Sequence, residues 1–298
     1  MGRMLFIVNP RAGKAQIRSH FLDIVDIFVK AGWNVEVHTT QEPLDAMNTA
    51  RQRGEDADLL VCSGGDGTLS ETISGMVYLD RPPVLGYIPA GSTNDFASSL
   101  RIPSNMAKAA ENVVSGKPMA VDIGHFCRER NFVYVAGFGM FTEVSYMTPQ
   151  EKKNLLGHQA YMLEGMKSLT NIKSYTMTLE AEEMTLEGDF VFGMVTNTTS
   201  VGGFKGLVAK DVALNDGLFE VLMIRMPRTA MELKNILTSM IQKEEQSEYV
   251  CRFKTSRLRM TFTEPVDWVL DGEFGGSRTQ VEIQNLTERI RIITPADF

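Results

Sequence analysis

The 298-residue chain carries only three cysteines, Cys62, Cys127 and Cys251, an odd and widely spaced set. That spacing excludes a disulfide framework and a zinc site, and leaves three reduced thiols in a chain expected to be cytoplasmic. Basic residues are also scarce. Thirty Lys and Arg against 37 Asp and Glu give a net charge of −7, which excludes the basic footprint of a nucleic-acid binder. No apolar run approaches the roughly 20 residues that cross a bilayer, and the run opening "MGRMLFIVNP" is too short for a signal peptide. Met1-Gly2 starts like a myristoylation signal, but Leu5 and Phe6 already begin a buried strand. Any membrane work is therefore expected at the surface, transiently at the inner face. The four histidines, His20, His38, His125 and His158, have no ligand spacing. Linkers rich in Gly, Ser or Pro, low-complexity tracts and repeats are missing, as is a G-x-x-x-x-G-K-S/T phosphate loop.

What is present is an ordinary globular composition, 43% hydrophobic and 22% charged, at a length that suits two domains. "MLFIV" (4–8) reads as a buried parallel strand ended by Asn9-Pro10. Ile17, Phe21, Ile24, Val25 and Phe28 then share one helical face, closed by Gly32. Strands are expected at 34–40, 57–63 and 83–91, with helices at 43–54 and from Thr68. This alternation implies right-handed crossovers and a doubly wound parallel sheet. Beyond 117–126 strand-like segments cluster, with helical periodicity only at 158–169 and 229–242, which suggests an antiparallel β-sandwich. The expected boundary lies near Val121 to Gly124, giving an α/β domain over 1–122 and a β-sandwich over 123–289.

Three turns end predicted parallel strands and so share one sheet edge, where open α/β sheets bind ligands. "SGGDGTLSE" places Gly64, Gly65 and Gly67 around Asp66, with Thr68 and Glu71 spaced as a capping box. A tight turn explains the glycines alone; an acid among them points to phosphates accompanied by a cation. "VNPRAGKAQ" offers Arg11 and Lys14, and "IPAGSTNDF" offers Ser92, Thr93, Asn94 and Asp95. Surface solvation accounts for each turn separately, but their shared edge favours a nucleotide site.

"NPRAGK", "SGGDGTLSE", "PAGSTNDFA", "VDIG", "GGFKG", "LNDGLFEV" and "LDGE" occur in the order seen in soluble bacterial diacylglycerol kinases, a group related to the sphingosine and ceramide kinases. The chain resembles that family from residue 9 to residue 273. The resemblance implies an α/β nucleotide-binding domain, a β-sandwich lipid domain, and a tail, 290–298, that returns to the first. It implies ATP along Asn9, Pro10, Arg11, Ala12, Gly13 and Lys14, beside Thr39 or Thr40, over Gly64, Gly65, Asp66, Gly67, Thr68, Leu69 and Ser70, with Ser92 or Thr93 near the sugar or phosphates. Asp66, Asn94, Asp95 and Asp122 match groups used around the catalytic magnesium. Asp216, with the carbonyls of Ala213 and Leu218, matches a structural magnesium site, although Asp216-Gly217 reads locally as a hairpin turn. Glu273 matches the general base, with Asp271 as the alternative.

The expected activity is ATP- and Mg2+-dependent phosphorylation of a lipid hydroxyl at the membrane surface, with diacylglycerol as substrate and phosphatidic acid as product. An NAD kinase-like enzyme acting on a soluble substrate and a non-catalytic nucleotide- or lipid-binding regulator are the alternatives; a homodimer is suggested by resemblance alone. Phe138, Met140 and Phe141, beside Gly137 and Gly139, form the expected acyl-facing wall, and Met147, Met162 and Met166 are further candidates for an adaptable lipid surface. Lys152, Lys153, Lys205 and Lys210 could attract an anionic membrane. Departures from the family pattern fall in the second half, where Lys210 and Val212 replace a proline and an alanine. Tyr134 stands where relatives often carry asparagine.

Overall fold

A computed structural model describes residues 1–140, 173–182, 184–199, 201, 212–242 and 247–298. The expected helix at 158–169, "GGFKG", Phe141, His158, the lysines at 152, 153, 205 and 210, and the methionines at 147, 162 and 166 lie outside the described residues.

The first half alternates strand and helix. β1 (Gly2–Val8), α1 (Ile17–Lys30), β2 (Trp33–Thr39), α2 (Asp45–Arg53), β3 (Leu59–Gly64), α3 (Asp66–Met76) and β4 (Val84–Pro89) lead into the short α4 (Asp95–Ser99) and α5 (Met106–Ser115). β1 pairs in parallel with β2 and β3, and β3 with β4, giving the order β2-β1-β3-β4. Met4 to Val8 of β1 and Leu59 to Cys62 of β3 are all buried and apolar because helices shield both faces of a parallel sheet. α1 buries Ile17, Ile24 and Phe28, and Phe28 meets Phe6 edge-on at 5.6 Å. Gly32, at φ +88°, then turns the chain in the left-handed region that glycine tolerates best. α5 is capped by the Asn105 side chain, which accepts from Lys108 N–H at 3.0 Å.

The second half is mainly antiparallel: β5 (Lys117–Phe126), β6 (Arg130–Phe132), β7 (Val135–Gly139), β8 (Tyr175–Ala181), β9 (Thr185–Thr196), β10 (Phe219–Arg225), α6 (Ala230–Gln242), β11 (Val250–Thr255), β12 (Arg257–Leu270) and β13 (Glu273–Thr294). Its aromatic core gathers Phe126, Phe138, Phe262 and Trp268, with Phe138 5.0 Å from both Phe262 and Trp268. Phe138 is therefore core and cannot serve as an acyl-facing wall; large apolar residues beside glycines do not distinguish a cleft face from a core face.

β13 joins the halves. It pairs antiparallel with β12 and β5, and Ile292 pairs in parallel with Leu85 of β4. The ladder with β5 shifts register between Leu286 and Ile290. Asp122 sits against that irregularity. Its buried carboxylate accepts from Glu288 N–H (2.7 Å), Gly217 N–H (2.7 Å) and Asn285 Nδ2 (3.2 Å). Arg289 crosses to the end of α3, where its guanidinium donates to the carbonyls of Val77 and Leu79. That satisfies carbonyls a helix end leaves unpaired and sets a cation at the negative end of its dipole.

Candidate active site

The three expected turns follow β1, β3 and β4, which are adjacent strands, so they converge at one edge. Asn9 N–H donates to Ser63 O, Thr40 N–H to Val8 O and Ala90 N–H to Gly64 O, each at 2.8–2.9 Å, carrying the ladders into the turns. The turns also pack on one another through missing side chains. A β-carbon on Gly13, already at φ +54°, would lie 2.4 Å from Ala90 O, and one on Gly91 would lie 2.6 Å from Gly65 Cα. Asn9 Nδ2 donates to Thr68 Oγ1 at 2.9 Å, linking the first turn to the second. Asn94, at φ +52°, closes the third turn: its side chain accepts from Gly91 N–H and donates to Gly91 O. Arg11, Lys14, Ser92 and Thr93 are exposed around this edge, while Ala12 and Leu69 are buried beneath it. Pro10 O accepts from Arg18 Nε.

α3 begins at Asp66, with Gly65 as its cap and no side-chain capping bond. The Thr68–Glu71 capping box expected from spacing does not form. Glu71 reaches across to α2, where Oε1 accepts from Leu44 N–H at 3.0 Å. A neighbouring helix start offered unpaired amides, and the glutamate took those instead.

Asp66 ties the second turn to the third, accepting weakly from Asp95 N–H (3.2 Å) and Phe96 N–H (3.4 Å). Burial, and then the neighbouring carboxylates of Asp95 and Asp271, push its pKa up from 3.8 to about 6; the two amide bonds only partly oppose this. A buried acid held against its charge in this way suits a cation beside it, and hard oxygen donors are what magnesium takes.

Asp271 and Glu273 part company at the β12–β13 turn. Asp271 and Gly272 both have positive φ, +50° and +89°, the geometry of a two-residue hairpin joining Leu270 to Glu273. Asp271 turns inward, where its carboxylate accepts from the N–H groups of Val133, Tyr134 and Val135 at 2.8–3.1 Å and from Ser70 Oγ at 2.7 Å. All four donors hold the carboxylate in place, and Ser70 spends its hydroxyl on this link to the second half. Burial still raises the Asp271 pKa, against the pull of those bonds. Glu273 is exposed, and its Oε1 lies 4.0 Å from where a Gly67 side chain would begin. The two acids sit two residues apart in very different surroundings.

The remaining metal-matched residues lie elsewhere in the fold. Asp122 has its carboxylate in the β5–β13 junction, as described above. Asp216 occupies a turn, Gly217 at φ +78°, that follows an irregular segment at 212–213, so it is no hairpin between two strands. Its Oδ1 accepts from Leu218 N–H at 3.1 Å, and Oδ2 lies 3.3 Å from Lys254 Nζ. Lys254 also meets the buried Glu220 carboxylate at 3.1 Å, and burial pushes that acid to about 7. Ala213 is exposed and Leu218 half-buried beside this ion pair. Among the described residues, no three His, Cys, Asp or Glu side chains form a metal-holding group.

Sequence reasoning passed over Tyr87, whose hydroxyl donates to Gly64 O at 3.1 Å beneath the glycine turn. No described helix is long and apolar enough to cross a membrane.

A model of the diacylglycerol kinase catalytic domain matches residues 3–126. The diacylglycerol kinase of Bacillus subtilis (strain 168) is 34% identical over 300 residues, covering 100% of this chain and 98% of its own. That of Staphylococcus carnosus (strain TM300) is 31% identical, covering 99% and 96%. A crystal structure of a diacylglycerol kinase from Bacillus anthracis str. Sterne superposes with a TM-score of 0.77 at 21% identity, covering 99% of this chain and 98% of that one. A second crystal structure from that strain gives a TM-score of 0.85 at 24% identity over 99% and 96%.

Proposed function

The chain belongs to the diacylglycerol kinase family, and from that premise we propose that it transfers the γ-phosphoryl group of ATP to the free hydroxyl of diacylglycerol, forming phosphatidic acid. The observation that carries the site assignment is the approach of the exposed Glu273 carboxylate to the Gly67 backbone, across the junction between the two halves.

Phosphoryl transfer asks for positioning and charge stabilisation more than covalent catalysis. The amides at the start of α3, with Arg11 and Lys14 beside them, seat the phosphates. Asp66 and Asp95 would hold Mg2+, which supplies neutralisation of phosphate charge when bound. Glu273 takes the proton of the lipid hydroxyl as its oxygen bonds to the γ-phosphorus, and the bond to the β–γ bridging oxygen breaks to release ADP. Asp271 positions: its bonds to Ser70 and to residues 133–135 fix the hairpin that carries Glu273. At Asp216 a divalent ion would meet the ammonium of Lys254, so we read that turn as ion-paired and assign it no catalytic step. Asp122 likewise serves the β5–β13 junction.

The division into 1–122 with 290–298, and 123–289, remains our reading. It is supported by a separate hydrophobic core drawn only from Phe126 to Ile283.

The test is Glu273→Gln, assayed with diacylglycerol vesicles and radiolabelled ATP. Loss of a positioned base should lower kcat about 10²–10⁴-fold while the fold is kept. Normal turnover would sink the assignment, and ATP binding without transfer by the wild type would favour a regulator.

A further inference from the structure

The resemblance in sequence assigns a structural magnesium to Asp216, and the residues around that turn do not fit one. Asp216 Oδ1 accepts from Leu218 N–H at 3.1 Å, and Oδ2 lies 3.3 Å from Lys254 Nζ. The sheet places that ammonium. Lys254 of β11 is registered directly on Glu220 of β10, and Nζ lies 3.1 Å from Glu220 Oε1. Glu220 is only 6% exposed, and neither of its carboxylate oxygens takes a well-aligned hydrogen bond from the described residues. The ammonium beside it is therefore what offsets the burial of this acid. A divalent ion on Asp216 would meet that fixed positive charge at close range, where like charges repel even near a surface.

The turn also braces the fold. Gly217 N–H donates to Asp122 Oδ2 at 2.7 Å, and Asp122 N–H donates to Leu214 O at 2.8 Å. Asn197 Nδ2 adds bonds to the carbonyls of Asp122 and Leu214. A cation on Asp216 thus steadies a segment tied at two points to the β5–β13 junction.

We propose that Lys254 is the resident cation of this turn: its ammonium does in this chain what a divalent ion would do at Asp216, so the second half keeps its shape without metal. Removing the ammonium vacates a position within reach of two carboxylates, and hard oxygens of that kind are what magnesium takes. Lys254→Met should therefore make the turn depend on a divalent ion. The experiment follows amide hydrogen exchange at Gly217 and Leu218 in the full chain, without nucleotide or lipid, in millimolar Mg2+ and in EDTA. Wild-type exchange should agree within about twofold between the two. In EDTA, Lys254→Met should exchange about tenfold faster, between the small effect of an exposed ion pair and the large one of a buried pair. Mg2+ should recover most of that loss in Lys254→Met and none of it once Asp216→Asn is added. Lys254→Arg keeps a cation and should follow wild type. Slower wild-type exchange in Mg2+ overturns the proposal, because metal then binds beside the lysine. So does a Lys254→Met protein that exchanges no faster than wild type, or one that Mg2+ does not restore. If Lys254→Met does not fold, wild type and Lys254→Arg decide, and a response to Mg2+ in either refutes. No substrate is present, so the outcome is separate from the assignment of Glu273.

Discussion

Replacing Asp66 by asparagine should stabilise the protein as it abolishes activity. The carboxyl titrates near 6 in the fold against an ordinary 3.8. The folded state therefore binds this proton more tightly than the unfolded chain. Stability from this group is full below pH 3.8 and is lost as pH climbs through about 6. By pH 8 the loss is about 3 kcal/mol, at 1.36 kcal/mol for each unit of difference. Asparagine carries no charge and escapes that penalty, but its single oxygen serves one of the two amides of Asp95 and Phe96. Forfeiting the other costs about 1 kcal/mol. The net gain is about 2 kcal/mol, or roughly 4 °C in Tm for a chain of this length. Thermal scans without nucleotide or metal, from pH 4 to pH 8, measure it. Asp66→Asn should melt above wild type at pH 8 and no higher at pH 4, and magnesium at pH 8 should narrow the gap. A gain that persists at pH 4, or none at pH 8, would refute the electrostatic account.

Two further substitutions probe the frame. Asp271→Asn strands at least two of the four donors now held by that carboxylate, so denaturant unfolding should show a loss of about 3 kcal/mol or more. Glu273→Gln, exposed and free of such bonds, should move the same measurement by less than about 0.5 kcal/mol. Arg289→Ala removes the guanidinium from the carbonyls of Val77 and Leu79; we expect a loss of about 1–2 kcal/mol and faster hydrogen exchange in the last turn of α3.

Local pattern made the alternating half of the fold legible: apolar runs of five or six residues, helical spacing in α1, and Gly32 at its end. Convergence of the three turns could be argued too, because parallel strands must end on the same side. Contacts between distant residues could not be read this way. Glu71 satisfied a local spacing rule and was claimed by Leu44, 27 residues away. Asp271 and Glu273 look alike in "LDGE"; only the hairpin geometry sends one inward and leaves the other exposed. Asp122 found its donors at Gly217, Asn285 and Glu288, and nothing near "VDIG" announces residues so remote. Phe138, grouped with Met140 and Phe141 beside two glycines, reads as part of a wall; its packing on Phe262 and Trp268, over a hundred residues away, is not legible locally.

The 22 residues of β13 have an implication for inheritance. Glu273 opens the strand and Ile292, near its end, is registered on Leu85 in the parallel sheet. One covalent segment therefore carries the carboxylate we propose as the base and a strand paired to the parallel sheet of the first half. Losing a single residue between them would reverse which side chains point inward in one half or the other. Recombination cannot exchange the second half as a cassette without cutting that strand. The two halves are therefore expected to change by point substitution while they descend together.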